Sequence, residues 1–228
     1  MRRWKKILLG VLVALVLLIG ALCLWQWNNI QAVYTFLTLD SAEIAQNLEQ
    51  QREEHHQAIQ EKVELTIAPP STEQSNAILS GQATPEEVKE ALGITEQLKK
   101  TEEAEPGNTA PAYTEQELVN SCVAELYACK IDIMEVLAEL KKEAVNEWNA
   151  LPEEKRTKTA MQEIGLAGLE KCYDLEVEVD AQVEEILERY RTRLDAVGGD
   201  TAILKELWNY YEDEKAVEKA YYMDKYLK

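Results

Sequence analysis

The first apolar block opens almost at once. From Ile7 to Trp25, nineteen consecutive residues carry no charge. At about 1.5 Å per residue such a helix reaches about 28 Å, close to the roughly 30 Å of a bilayer's hydrocarbon core. Trp4 borders one end, and Trp25 and Trp27 the other. Rings of this kind favour the lipid–water interface. Arg2, Arg3, Lys5 and Lys6 precede the block, so the positive-inside rule keeps the N-terminus cytoplasmic and places the rest outside. The pattern predicts a transmembrane signal-anchor helix over residues 7–27. The lipid bilayer is then one partner, and the chain is a single-pass protein of the cell membrane. A cleaved signal peptide would have an apolar region of about 7–15 residues, shorter than this one. No Asn-x-Ser/Thr acceptor occurs. An outer domain on the eukaryotic secretory route often carries one, so a bacterial envelope is the expected setting.

After the block the pattern thins. Asp40 and Glu43 have the spacing of a capping box. Ile44, Leu48, Ala58, Ile59 and Val63 then recur at helical spacing, with Gln51 and His55 on the same stripe. Apolar positions are too few to specify a coiled coil. Residues 28–65 therefore read as a polar helical stalk. Residues 66–112 hold five of the six prolines and read as a linker, since proline fixes φ and removes a backbone donor. One short helix is expected inside it, over 85–92. Thr84 suits its N-cap, Pro85 N1, Glu87 N3 and Gly93 C′. So short a helix needs a surface to dock on, through Val88 and Leu92.

The strongest periodicity lies in 113–228. Leu118, Cys122, Leu126, Cys129, Ile133, Val136, Leu140, Ala144 and Trp148 step by three or four. Thr114 and Glu117 form a capping box ahead of them. A second line runs Ile164, Gly168, Cys172, Leu175, Val179, Val183, Ile186, Tyr190 and Leu194, and Gly198-Gly199 closes it. A third runs Leu204, Leu207, Trp208, Tyr211, Val217, Tyr221 and Tyr222. Helices of about 114–150, 159–197 and 201–227 with short connections predict an antiparallel three-helix bundle. The fold class expected is all-α: a transmembrane helix, a stalk, a linker with a short helix, and the bundle.

Charge narrows the partners. The net charge is −18, and the first four basic residues set aside, twenty basic residues face forty-two acidic ones. Such a surface repels phosphate, so nucleic acid is excluded as a partner. Both histidines, His55 and His56, sit on the stalk. The bundle thus lacks His for a triad, a Cys–His pair or a His-containing zinc site. No Cys-x-x-Cys, Gly-rich phosphate loop or EF-hand pattern occurs. No cofactor, metal or catalysis is expected.

Three features remain as candidates. Glu176, Asp180, Glu184 and Glu188 form an acidic stripe at steps of four, and Asp132, Glu135, Glu139 and Glu143 form a partner stripe. Either they meet lysines such as Lys205, Lys215 or Lys219, or they dock a basic partner. Helix 201–227 carries six aromatics, more than one core face holds. Tyr210, Tyr222 and Tyr226 are the candidate partner surface. Finally, Cys122, Cys129 and Cys172 fall on apolar stripes. A turn centred between residues 150 and 155 reflects Cys172 onto a window that contains Cys129. A Cys129–Cys172 disulfide is the expectation, with Cys122 a buried thiol. The functional expectation is a non-catalytic, membrane-anchored envelope protein whose acidic bundle binds another protein or itself. The alternative is an extracytoplasmic sensor or carboxylate-based hydrolytic module acting on a cell-wall or small-molecule ligand. A concave pocket with buried carboxylates would favour that second class.

Overall fold

The computed structural model describes residues 41–102 and 113–227. Their regular structure is helical throughout, and no strand occurs among the described residues. In chain order the helices are α1 (Ser41–Gln60), α2 (Thr72–Leu79), α3 (Pro85–Ala91), α4 (Ile94–Glu102), α5 (Glu115–Ala150), α6 (Lys158–Val197) and α7 (Ala202–Leu227). A 3-10 turn, Glu153–Lys155, links α5 to α6.

The membrane expectation is corrected at this point. Among the described residues no helix is long and apolar enough to cross a membrane. The physical reason is that α5, α6 and α7, though long enough, carry charged residues on nearly every turn. The span assigned to 7–27 lies outside the described residues, as do 28–40 and 103–112.

The chain forms two compact units. One takes the residues up to Glu53 and from Asn209 onward, the other Glu54–Trp208. In the larger unit, α5 is the central element. It starts at a complete capping box: the Thr114 hydroxyl accepts from the Glu117 amide at 3.2 Å, and the Glu117 carboxylate accepts from the Thr114 amide at 2.9 Å. α6 returns antiparallel along it. Arg189 meets Glu125 at 2.5 Å and Lys171 meets Glu143 at 2.7 Å. The core between them is Leu118, Cys122, Ile131 and Met134 with Val179, Val183, Ile186, Tyr190 and Leu194.

The stretch 66–112 differs from a linker. Three helices occupy it where one was expected, and all three pack on α5. They descend antiparallel to it: Lys141 Nζ reaches the Leu79 carbonyl at 3.4 Å, Lys89 pairs with Asp132, and Gln97 Nε2 donates to Ser121 Oγ at 3.2 Å. The prolines do break the chain, but between helices rather than instead of them. Pro69 and Pro70 precede α2, Pro85 is the first residue of α3, and Gly81 and Gly93 take left-handed φ of 73° at the helix ends. Helices of seven to nine residues are marginal alone and draw stability from the α5 surface. Ser71 and Gln74 form another capping box, on α2.

A short extended segment before α2 is also pinned to α5. Buried Asn120 accepts from the Thr66 amide at 2.8 Å and donates to the carbonyls of Glu64 at 2.8 Å and Gln116 at 3.0 Å. One side chain thus satisfies two backbone groups outside any helix, the Thr66 amide and the Glu64 carbonyl.

The smaller unit replaces the expected stalk. Ile44 and Leu48 on α1 are fully buried, so the helix is not a polar post. Arg52, on the same stripe, is also buried. Its Nε meets Glu214 at 2.5 Å, its Nη2 meets Glu218, and its Nη1 meets Glu49 at 3.3 Å. Glu214 and Glu218 stand one turn apart on α7. Burial opposes the guanidinium's charge, but Glu218, Glu214 and Glu49 together outweigh it and hold the pKa above its ordinary value. The expected up-down-up return of the third helix is also revised. From Asn209 on, α7 belongs to the smaller unit with residues of α1. Arg52, a charged residue of α1, is thus a core position.

Candidate functional site: the helical arm

α5 and α6 do not stop where their cover stops. The last buried residue of α5 is Met134 and the first of α6 is Val179; no residue from 135 to 178 is buried. These forty-four residues form a two-helix arm. Its inner line is half-buried: Leu137, Leu140, Ala144 and Trp148 on α5, Ile164, Gly168, Cys172 and Leu175 on α6. Two helices bury only one stripe each, so such an arm keeps its other faces wet.

The tip is built rather than loose. Pro152 ends α5, and the Arg156 guanidinium donates to the carbonyls of Asn149 at 2.8 Å and Leu151 at 3.1 Å. Those acceptors belong to the end of α5, where carbonyls lack helical partners. Thr157 caps α6 by accepting from the Ala160 amide at 3.2 Å.

The outer face of α6 is apolar. Leu166, Leu169, Tyr173 and Val177 are exposed by 66%, 45%, 53% and 55%. Their steps of three, four and four residues place them on one side of the helix. It lies nearly opposite the inner stripe. The same face then turns acidic. Glu184 and Glu188 are exposed, Asp180 and Glu176 half-buried, and Glu188 holds Arg191 at 2.9 Å along its own helix. Lys215 pairs with Glu212 at 2.5 Å along its own helix. The α5 stripe is answered from elsewhere, Asp132 by Lys89 and Glu143 by Lys171.

A groove of about 470 Å³ lies between the α2–α3 turn and the middle of α5, lined by Ile78, Leu79, Pro85, Ala138 and Val145. Its carboxylates, Glu135 and Glu139, are exposed. An acid–base pair tuned by burial would need them withdrawn from water. Among the described residues no group of three or more His, Cys, Asp or Glu could hold a metal ion.

The expected tyrosine surface is not an open one. Tyr210 and Tyr222 are half-buried, and Tyr222 packs edge-on against Tyr221 with centroids 5.1 Å apart. The side chain of Tyr226 lies outside the described residues. Among the described residues the exposed aromatic is Tyr173, on the arm.

The three cysteines among the described residues are free thiols, Cys122 buried and Cys129 and Cys172 half-buried. The hairpin register separates the pair expected to bridge. Cys129 Sγ donates to Gln182 Oε1 at 3.6 Å, and Glu143 faces Lys171. Reflection therefore runs through residues 155–157, and Cys172 lies opposite residues near 140. It is about ten residues, or about 15 Å, from the level of Cys129, beyond the roughly 7 Å a disulfide spans. Each residue of error in the turn centre moves the mirror position by two, which is why the shift is so large. Burial raises all three thiols above their ordinary range, that of Cys129 to about 11 with Asp132 and Glu125 adding to the effect. Such thiols are inert at neutral pH.

Compared with protein-family models, with curated proteins and with solved structures, the chain matches none.

Proposed function

We propose that this is a non-catalytic assembly protein whose helical arm docks on a protein helix. The observation that carries the reading is the exposed stripe Leu166, Leu169, Tyr173 and Val177 on the α6 side of the two-helix arm. A contiguous apolar line on a projecting element is the usual form of a helix-docking surface. Charge supports it. The arm between Lys141 and Lys171 carries six acidic and six basic residues, in a chain of net charge −18. Long-range repulsion between acidic surfaces is therefore weakest here. Nothing in this reading uses residues 1–40. The alternative class, a sensor or hydrolytic module, is less supported, because the groove's carboxylates stand in solvent.

Photocrosslinking tests it. A benzophenone amino acid placed at Leu169 or Tyr173 in the full chain should give discrete protein adducts. The same group at Glu90, exposed on α3, should not. Equal yields at all three positions, or none at the arm, would overturn the assignment.

A further inference from the structure

We infer that the partner of the arm is a second copy of this chain, joined α6 to α6 in an antiparallel, two-fold pair. The inference rests on the docking role of the arm and specifies its occupant.

A two-fold interface must be self-complementary: if residue i meets residue j, then j meets i. The apolar stripe of α6 satisfies this. Leu166 and Val177 lie equally far from a point between Lys171 and Cys172, and Leu169 and Tyr173 straddle the same point to within half a residue. An antiparallel copy about that point sets Leu166 on Val177 and Leu169 on Tyr173, twice over. A partner of unrelated sequence has no reason to match that symmetry.

Charge carries the same register outward. The arm's tip bears exposed Lys155, Arg156 and Lys158 against Glu153 and Glu154, a net charge of 3 − 2 = +1. Reflection through the same point brings Lys158, the first residue of α6, alongside Glu184 and Glu185, and sets the turn that bears Lys155 at the end nearest Glu188, the exposed end of the acidic stripe. Basic tip thus meets acidic stripe at both ends of the pair. A parallel arrangement would instead set tip on tip and stripe on stripe, with like charges together. Electrostatics therefore fixes the direction as well as the register.

The helix-on-helix contact runs from Lys158 to Glu185, about 40 Å at 1.5 Å per residue. With a helix about 10 Å across, the pair covers about 800 Å² in all, below the roughly 1,000 Å² at which specific interfaces begin. The dimer is accordingly concentration-dependent rather than permanent.

The test is a charge swap in the full chain. One variant carries K155E and K158E, the other E184K and E188K, all at exposed positions. Alone, each variant sets like charges together at both ends and should associate roughly tenfold more weakly than the parent. Mixed, the two regain opposite charges at both ends and should form the heterodimer at about the parent's strength. Analytical ultracentrifugation with one variant fluorescently labelled reads both. Circular dichroism confirms that each keeps its helicity, and L169E in the parent should weaken association independently of charge. Homotypic and heterotypic association of equal strength would overturn the inference. So would a parent chain that stays monomeric across the micromolar range. If the chain is monomeric but photocrosslinks at Tyr173 join it to a different protein, the docking role stands and the two-fold pair falls. If no adduct forms at the arm and no dimer either, both fall.

Discussion

Arg52 offers the sharpest test of how the smaller unit is held together. Its side chain is 2% exposed, and those of Glu214 and Glu218 are 19% and 14% exposed. Arg52→Met keeps much of the stem's volume and removes the charge. Two acids one turn apart on α7 then face each other in a site that admits little water. Removing one partner of a buried ionic group costs about 3–5 kcal/mol, because the remaining charge is left uncompensated. The carboxylates retain some exposure, so the lower end, about 3 kcal/mol, is expected. That corresponds to about a 140-fold rise in the opening constant. Hydrogen exchange of peptides from 41–53 and 209–222 should report it as a loss of protection of that order. Adding Glu214→Gln and Glu218→Gln to Arg52→Met should restore most of the protection, since no charge is then left buried. Acid should help the single variant as well. Mutual repulsion and burial favour the protonated carboxyls, so its deficit against the parent shrinks as pH falls toward the carboxylate range. A loss below about 0.5 kcal/mol, the level of a surface pair, would refute the reasoning. A triple variant as damaged as the single one would refute it too.

Three further outcomes follow from the larger unit. Asn120→Ala should destabilise by about 1–3 kcal/mol in urea titration, because the Thr66 amide and Glu64 carbonyl lose a partner inside the fold; Asn120→Ser should recover little. Thr114→Ala should cost about 1 kcal/mol by removing the α5 cap. The hydrogen bonds from the Thr114 amide and hydroxyl also hold the Glu117 carboxyl below its ordinary range. That contribution is present above the unfolded carboxylate pKa and fades as pH falls through the folded value, so the parent–variant gap should narrow in acid. Cys122, Cys129 and Cys172 should all count as free thiols in the oxidised, folded chain. With Cys129 raised to about 11 against an ordinary 9.0, the folded state keeps its proton longer than the unfolded one. Stability should therefore fall as pH rises from about 9 toward 11, and alkylation near pH 8 should be slow until denaturant is added.

Much of the helical content was legible from residues alone. The capping boxes at Thr84–Glu87 and Thr114–Glu117, the Pro at the start of α3, and the paired glycines after α6 mark helix ends by local chemistry. Such signals need only neighbours in the chain. So do the apolar steps of three and four, which set the long helices within a residue or so of their limits. What lay beyond reach was the destination of each face. Arg52 sits at a core position of α1, but its partners are more than 160 residues away. A charge that looks like a break in an apolar stripe became part of the core only once α7 had brought Glu214 and Glu218 to it. The short helices α2 and α4 read as linker because eight or nine residues show little by themselves; the surface of α5 supplies their stability. The Cys129–Cys172 expectation failed on the turn, where two or three residues of 3-10 structure shifted the register beyond bridging distance. The arm is the converse case. Leu166, Leu169, Tyr173 and Val177 could be counted in the sequence, nearly opposite the inner stripe of the same helix. Periodicity shows which residues share a face; only the packing of α2, α3 and α4 on α5, and the exposure of these four side chains, shows which face is open to water among the described residues.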